Sequence, residues 1–139
     1  MTERETEEST KLRLDFKKLK AIAMGKEDVV PAVIQDAESL EVLLVAYVNA
    51  EALRLSLTEK RAVFYSTSRQ QIWRKGDTSG DTLALQEIRV NCEQNSLLYL
   101  VKKTHPSGGA CHTKDAHGRT RRACYYRRLV SEADLEFSM

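Results

Sequence analysis

Residues 111–124 read CHTKDAHGRTRRAC: two cysteines bracket two histidines and four basic residues, and the only other cysteine of the chain is Cys92. Zinc takes tetrahedral nitrogen and sulfur ligands, and a catalytic zinc leaves one of its four positions to water. Thiolates from Cys92, Cys111 and Cys124 would leave that vacancy and would join three backbone points far apart in the chain. No C-x-x-C pair is present, so the spacing is not that of a zinc finger. A second reading stays open on the residues alone: Cys92 and Cys124 as small buried hydrophobes, which free cysteines often are.

His112 follows Cys111 directly, so a metal on Cys111 would bring this imidazole near the vacant position, and a side-chain pKa of ~6.5 suits proton transfer there. A solvated loop histidine is the alternative for it, and the default for His105 and His117. The stretch WRKGDTSGD, residues 73–81, offers Arg74 and Lys75 as phosphate-binding charges. The Thr78 and Ser79 hydroxyls and the amides beside Gly76 and Gly80 are further donors. The order is not that of a Walker loop, and a solvated basic turn has the same composition. Arg119, Arg121 and Arg122 admit the same two readings, phosphate contact or solvated face.

These side chains need elements to position them. VVPAVIQDAESLEVLLVAYV gives two β-branched apolar runs around a polar stretch with Asp36, Glu38 and Ser39, the pattern of a hairpin. NAEALRLSLTEK predicts the principal helix, with Asn49 as its cap and Ala52, Leu53 and Leu57 on one face. AVFYS, 62–66, reads as a strand, and 73–81 as a loop relaxed by Gly76 and Gly80. Leu83 and Leu85 are out of phase with Ile88 and Val90, which predicts a bend or bulge between them. LLYLV, 97–101, reads as a buried strand, 104–122 as a long loop of the kind usually tied to function, and ACYYRRLV as a strand closing the sheet. The expected architecture is α+β, a mostly antiparallel sheet with one principal helix.

At 139 residues, one domain is expected over 12–139, preceded by a flexible acidic extension at 1–11 that has almost nothing to bury. The hydrophobic share of 42% and charged share of 30% suit a globular chain, and a net charge of +2 does not argue for a nucleic-acid partner. MTERETEEST lacks the basic and apolar regions of a secretory signal, so a cytoplasmic location is expected. The apolar run VLLVAYV is far below the ~20 residues of a membrane span, so no membrane partner is expected. Three cysteines in a reducing compartment argue against a disulfide framework.

VPAVIQDAES, EVLLVAYVN, FYSTSRQQIWRKGDTSGD, EIRV with Cys92 after it, and ACHT followed by RRACYYR occur in this order between about residues 14 and 128. In these motifs the chain resembles the phosphoribosyl-AMP cyclohydrolase family of histidine biosynthesis. The resemblance implies hydrolytic opening of the adenine six-membered ring of phosphoribosyl-AMP to the formimino carboxamide ribonucleotide. It implies an intertwined homodimer with a strongly bent sheet, active sites at the subunit interface and a zinc shared between two chains. By the same resemblance Cys92, Cys111 and Cys124 match the zinc ligands and His112 the histidine suspected of proton transfer, while Trp73, Arg74, Lys75, Thr78, Ser79 and Gly80 match the substrate loop. A zinc-activated water suits attack on an electrophilic carbon between two nitrogens near neutral pH.

The chain departs from the family pattern twice. Where the family has D-C-D-x-D aspartates for magnesium, this sequence has Asn91, Cys92, Glu93, Gln94 and Asn95, a degenerate site with one carboxylate. Magnesium prefers hard anionic oxygens, so these exchanges are expected to weaken it severely. Twelve residues separate Cys111 from Cys124, more than the family typically has. Two alternatives to the cyclohydrolase reading follow from the departures: a divergent member acting on another purine nucleotide, and a non-catalytic zinc-stabilised dimer that binds nucleotide.

Overall fold

A computed structural model of the chain describes residues 2–105, 109–111 and 113–138. In chain order its elements are α1 (Glu3–Glu8), α2 (Lys18–Ala23), β1 (Val30–Asp36), β2 (Val42–Val48), α3 (Ala50–Glu59), β3 (Val63–Ser66), β4 (Gln71–Arg74), β5 (Leu83–Val90), β6 (Leu97–Lys103), β7 (Arg127–Leu129) and β8 (Leu135–Phe137). They form two compact units, one of residues 25–124 and one combining residues 1–24 with 125–139. The architecture is α+β, with few helices and mostly antiparallel pairing.

The larger unit is built on a four-stranded sheet of order β2-β1-β6-β5. Strands β1 and β2 form the expected hairpin, with Val30 opposite Val48 and Ile34 opposite Leu44. Its turn is held by the Asp36 carboxylate, which accepts the Ser39 amide at 2.8 Å and the Glu38 amide at 2.9 Å. Strand β6 runs parallel to β1, the one parallel pairing among the described strands, and β5 runs antiparallel to β6. The β5 register shifts between Leu85 and Glu87, so the phase break in the sequence is a bulge.

Helix α3 starts where Asn49 Oδ1 accepts the Ala52 amide at 2.8 Å, satisfying one donor that the first turn leaves unpaired. It ends on Lys60 in the left-handed region, φ 57°. Ala52 faces the core as expected, but Leu57 is exposed and Ser56 takes the inward place. The reason is polar: the Ser56 hydroxyl donates to Val63 O at 3.0 Å and accepts the Val63 amide at 3.1 Å and the Tyr99 hydroxyl at 3.1 Å. One hydroxyl thereby fills its donor and both acceptor positions inside the core. Phe64, Tyr99, Ile34, Leu43 and Val101 are fully buried in the same core.

Two expectations need correction. The loop expected at 73–81 begins later, because Trp73 and Arg74 lie in β4, paired with Phe64 and Val63 of β3. Trp73 packs on Phe64 with ring centroids 5.5 Å apart, and that apolar contact holds the strand one turn further than the glycine pattern suggests. The ACYYRRLV segment does not close the sheet; β7 pairs with β8 as a separate two-stranded ribbon in the smaller unit.

The smaller unit is held by polar contacts. Helix α1 opens with a capping box in which Thr2 and Glu5 satisfy each other's backbone donors. The Tyr126 hydroxyl donates to Glu7 O at 2.7 Å, Arg127 Nη1 donates to Thr6 O at 2.7 Å and to Ser9 O at 2.9 Å, and Lys11 pairs with Asp134 at 2.6 Å. Residues of the acidic start are thus drawn onto the C-terminal ribbon.

Candidate active site

All the residues singled out for chemistry and described here lie in the larger unit. After Gly109 the chain runs back along residues 121–122: the Ala110 amide donates to Arg122 O at 2.9 Å and the Cys111 amide to Arg121 O at 3.0 Å. Gly109 is required by closeness, since a Cβ there would lie 2.2 Å from Arg121 O. The Arg121 amide donates to Thr113 O at 3.1 Å, and Lys114 bridges to Thr120. Residues 113–121, between the two cysteines, therefore form a hairpin rather than an open loop. Its tip is pinned by the Asp115 carboxylate, which accepts the amides of His117 at 2.8 Å and Arg119 at 3.0 Å, and by Gly118 at φ 77°. These bonds, that to the Arg119 amide foremost, hold the Asp115 carboxyl below its ordinary value.

The hairpin returns Cys124 to Cys111, and the Cys124 amide is tied to β2 through Leu43 O at 2.7 Å. The two sulfurs lie 3.4 Å apart as free thiols, well beyond the ~2.05 Å of a disulfide. Cys111 is buried, and its sulfur has the Thr113 hydroxyl at 3.0 Å and the Thr113 amide at 3.4 Å. Arg121, 8% exposed, donates from Nη1 to the same Thr113 hydroxyl at 3.0 Å. That hydroxyl therefore contacts the buried guanidinium and the Cys111 sulfur at once. This corrects both sequence readings of Arg121, which is neither a solvated charge nor an open phosphate contact.

Cys92 is exposed, on the turn after β5, and does not join the pair within one chain. Among the described residues, no group of three or more His, Cys, Asp and Glu could hold a metal ion. His112 lies outside the described residues. Two sulfurs on one tetrahedral zinc stand about 3.8 Å apart for Zn–S bonds of ~2.3 Å, so opening the observed pair by a few tenths of an ångström makes it two ligands of one ion. The donor chemistry suits zinc, with the third sulfur to be supplied from outside the pair.

The segment implied for magnesium is organised differently. Asn91 Oδ1 accepts the amides of Asn95 and Ser96, each at 2.9 Å, and Asn91 Nδ2 donates to Asn95 Oδ1 at 2.6 Å. Asn95 Nδ2 reaches Glu93 Oε2 at 3.2 Å. Both amide oxygens are already accepting, and one carboxylate remains, so this donor set does not fit magnesium.

The residues that the resemblance implies for substrate binding divide. Lys75 is 2% exposed, and its Nζ donates to Asp81 O at 3.2 Å. Burial pushes its ammonium below the ordinary value, and the charges of Asp81, Cys111 and Cys124 oppose that shift, so the lysine lies within electrostatic reach of the thiol pair. Arg74 forks onto Glu59, Nη2 to Oε2 at 2.9 Å and Nε to Oε1 at 3.1 Å, a pairing that raises the arginine and lowers the carboxyl. Thr78, Ser79 and Gly80 are exposed at the turn, with Gly80 at φ 83°. Gly76 has φ +88° and backbone 2.4 Å from where a Cβ would stand, so it admits no side chain. Sequence reasoning missed Thr113, Glu59 and the burial of Arg121. Thr113, two residues after Cys111, carried a local signal; the other two come from remote segments.

An α+β protein with a converging thiol pair, a lysine sequestered beside it and a polar glycine turn at its edge is the class that fold and site define. The family model for phosphoribosyl-AMP cyclohydrolase matches residues 44–126. A phosphoribosyl-AMP cyclohydrolase of Haloquadratum walsbyi is 44% identical over 108 residues, covering 78% of this chain and 75% of the relative. One of Haloarcula marismortui is 49% identical over 92 residues, 66% of this chain and 74% of the relative. The histidine biosynthesis bifunctional protein HisIE of Thermus thermophilus is 42% identical over 120 residues, 86% of this chain and 52% of that longer protein. The chain belongs to the phosphoribosyl-AMP cyclohydrolase family.

Proposed function

We propose that this chain is a zinc-dependent phosphoribosyl-AMP cyclohydrolase of histidine biosynthesis, working as a cytoplasmic homodimer with shared active sites. The observation that carries the zinc reading is the approach of Cys111 and Cys124 to 3.4 Å from positions on opposite arms of a hairpin. Cys92 is exposed and apart from them, so a second copy would bring the third thiolate. Among the described residues, no helix is long and apolar enough to cross a membrane.

Held by Cys92, Cys111 and Cys124, zinc would supply a Lewis acid that makes hydroxide accessible near neutral pH. The product defines where oxygen must enter. A carboxamide forms when water attacks the ring carbon that carries the exocyclic nitrogen and the bond from that carbon to the ribosyl-bearing ring nitrogen breaks. The nitrogen leaves with a proton. To His112, next to Cys111 in sequence, we assign the transfer of a proton from water to that nitrogen. Thr113, fixed by Arg121, holds the Cys111 sulfur in place. The Lys75 ammonium offsets the charge of two adjacent thiolates. The exposed Thr78 and Ser79 hydroxyls are donors for the substrate phosphate, on a turn closed by the Gly80 amide, which donates to Gly76 O at 2.7 Å, with Trp73 and Arg74 at its base.

Turnover of phosphoribosyl-AMP and metal content, measured on one preparation of the full chain, test this. About one zinc per chain with turnover is expected. A folded, zinc-loaded protein inert toward phosphoribosyl-AMP would refute the activity. The Asn91, Glu93 and Asn95 replacements favour a second reading, another purine nucleotide or binding without turnover. A panel of purine nucleotides separates those cases.

A further inference from the structure

We infer that the loop carrying Cys92 is held in shape by an amide clamp between Asn91 and Asn95, which takes over the structural place of a divalent cation. Four hydrogen bonds define the clamp. Asn91 Oδ1 accepts the backbone amides of Asn95 and Ser96, Asn91 Nδ2 donates to Asn95 Oδ1, and Asn95 Nδ2 donates to Glu93 Oε2. The backbone completes the turn: the Gln94 amide donates to Asn91 O at 3.0 Å and the Asn91 amide to Ser96 O at 3.2 Å, with Gln94 left-handed at φ 55°. A cation here would need the oxygens of residues 91, 93 and 95 to converge and face outward. In this chain two of them accept protein N–H groups, and the third, on Glu93, accepts from Asn95.

Without an ion, the turn favours amides. Aspartates at 91 and 95 would set two carboxylates at the separation now spanned by the 2.6 Å amide bond, and like charges that close are accommodated by a cation between them or by a proton that one of them retains. Asparagine supplies the missing donor from its own NH2 group, so the turn closes without an ion. Cys92, the second residue of this turn, is thereby presented with no second metal. The zinc reading is not needed for this inference, which concerns only the loop.

The test is nuclear magnetic resonance of the full chain as purified, with manganese(II) as the magnesium probe and no nucleotide present. In the natural protein the Asn91 side-chain NH2 should exchange slowly with solvent, and manganese at submillimolar concentration should leave the signals of residues 91–96 unbroadened. In the double variant Asn91→Asp, Asn95→Asp, the same manganese should broaden the backbone signals of 92–94 selectively. Selective broadening in the natural chain overturns the inference, as does fast exchange of the Asn91 NH2. Absence of broadening in the double variant also overturns it, because the amides would then replace no cation site. None of these readouts involves turnover, so failure of the proposed activity leaves the result interpretable.

Discussion

The Thr113 hydroxyl lies 3.0 Å from the Cys111 sulfur and is itself anchored by the buried guanidinium of Arg121. These contacts orient the Cys111 sulfur, which is a zinc ligand in the proposed function. Thr113→Val keeps the shape and removes the hydroxyl, so zinc affinity should fall about 10-fold to 100-fold, as it does when partners of metal ligands are removed. Thr113→Ser should restore it. Competition against a chromophoric zinc chelator measures both, and equal affinity in the valine variant would exclude this orienting role.

Separation of Cys92 from the thiol pair predicts complementation. Cys92→Ala and Cys111→Ala should each abolish zinc binding and turnover when pure. Unfolded together and refolded, the two variants should regain part of both if the proposed dimer forms, because one of the two sites in a mixed pair would then have all three sulfurs. A mixture as inactive as its components would place all three ligands in one chain.

Ser56 predicts a stability effect. Ser56→Ala leaves the Val63 amide, Val63 carbonyl and Tyr99 hydroxyl without their partner in a dry core. Each unsatisfied buried group costs roughly 1–3 kcal/mol, so the variant should lose at least about 2 kcal/mol in urea unfolding. Leu57→Ser on the exposed side of the same helix should change little.

Asp36 predicts an acid limb. The Ser39 amide first, then the Glu38 amide, hold its carboxyl below the ordinary 3.8 in the folded state, against a smaller opposing effect of burial. The unfolded chain therefore binds this proton more readily, so the carboxylate contributes stability above pH 3.8 and loses it as pH falls through the folded value. Unfolding followed between pH 5 and pH 2.5 should show a shallower decline for Asp36→Asn than for the natural chain. Parallel declines would contradict the assignment.

Gly109 predicts a coupled failure. A methyl group at Gly109 would meet the Arg121 carbonyl at 2.2 Å and push apart the two arms that bring Cys111 to Cys124. Gly109→Ala should lower both thermal stability and zinc content, whereas Gly118→Ala, with open space at the hairpin tip, should show only the backbone cost of its positive φ. Zinc analysis alongside thermal unfolding distinguishes the two positions.

Local chemistry was readable in the residues wherever near neighbours decide the outcome. Asn49 before an apolar helical pattern capped α3, the polar break at 36–39 turned β1 into β2, and the phase change after Leu85 became the β5 bulge. The three cysteines, His112 and the WRKGDTSG stretch were likewise visible by type and order. Tertiary structure decided what those residues touch. It buried Arg121 behind Thr113 and Lys75 beside the thiols, paired Arg74 with Glu59, and set Ser56 rather than Leu57 against the core. It also brought Cys111 to Cys124 while leaving Cys92 on an exposed turn. The physical reason is that burial and electrostatic partnership depend on segments remote in sequence, whereas caps, turns and strand phase depend on side chains a few positions away.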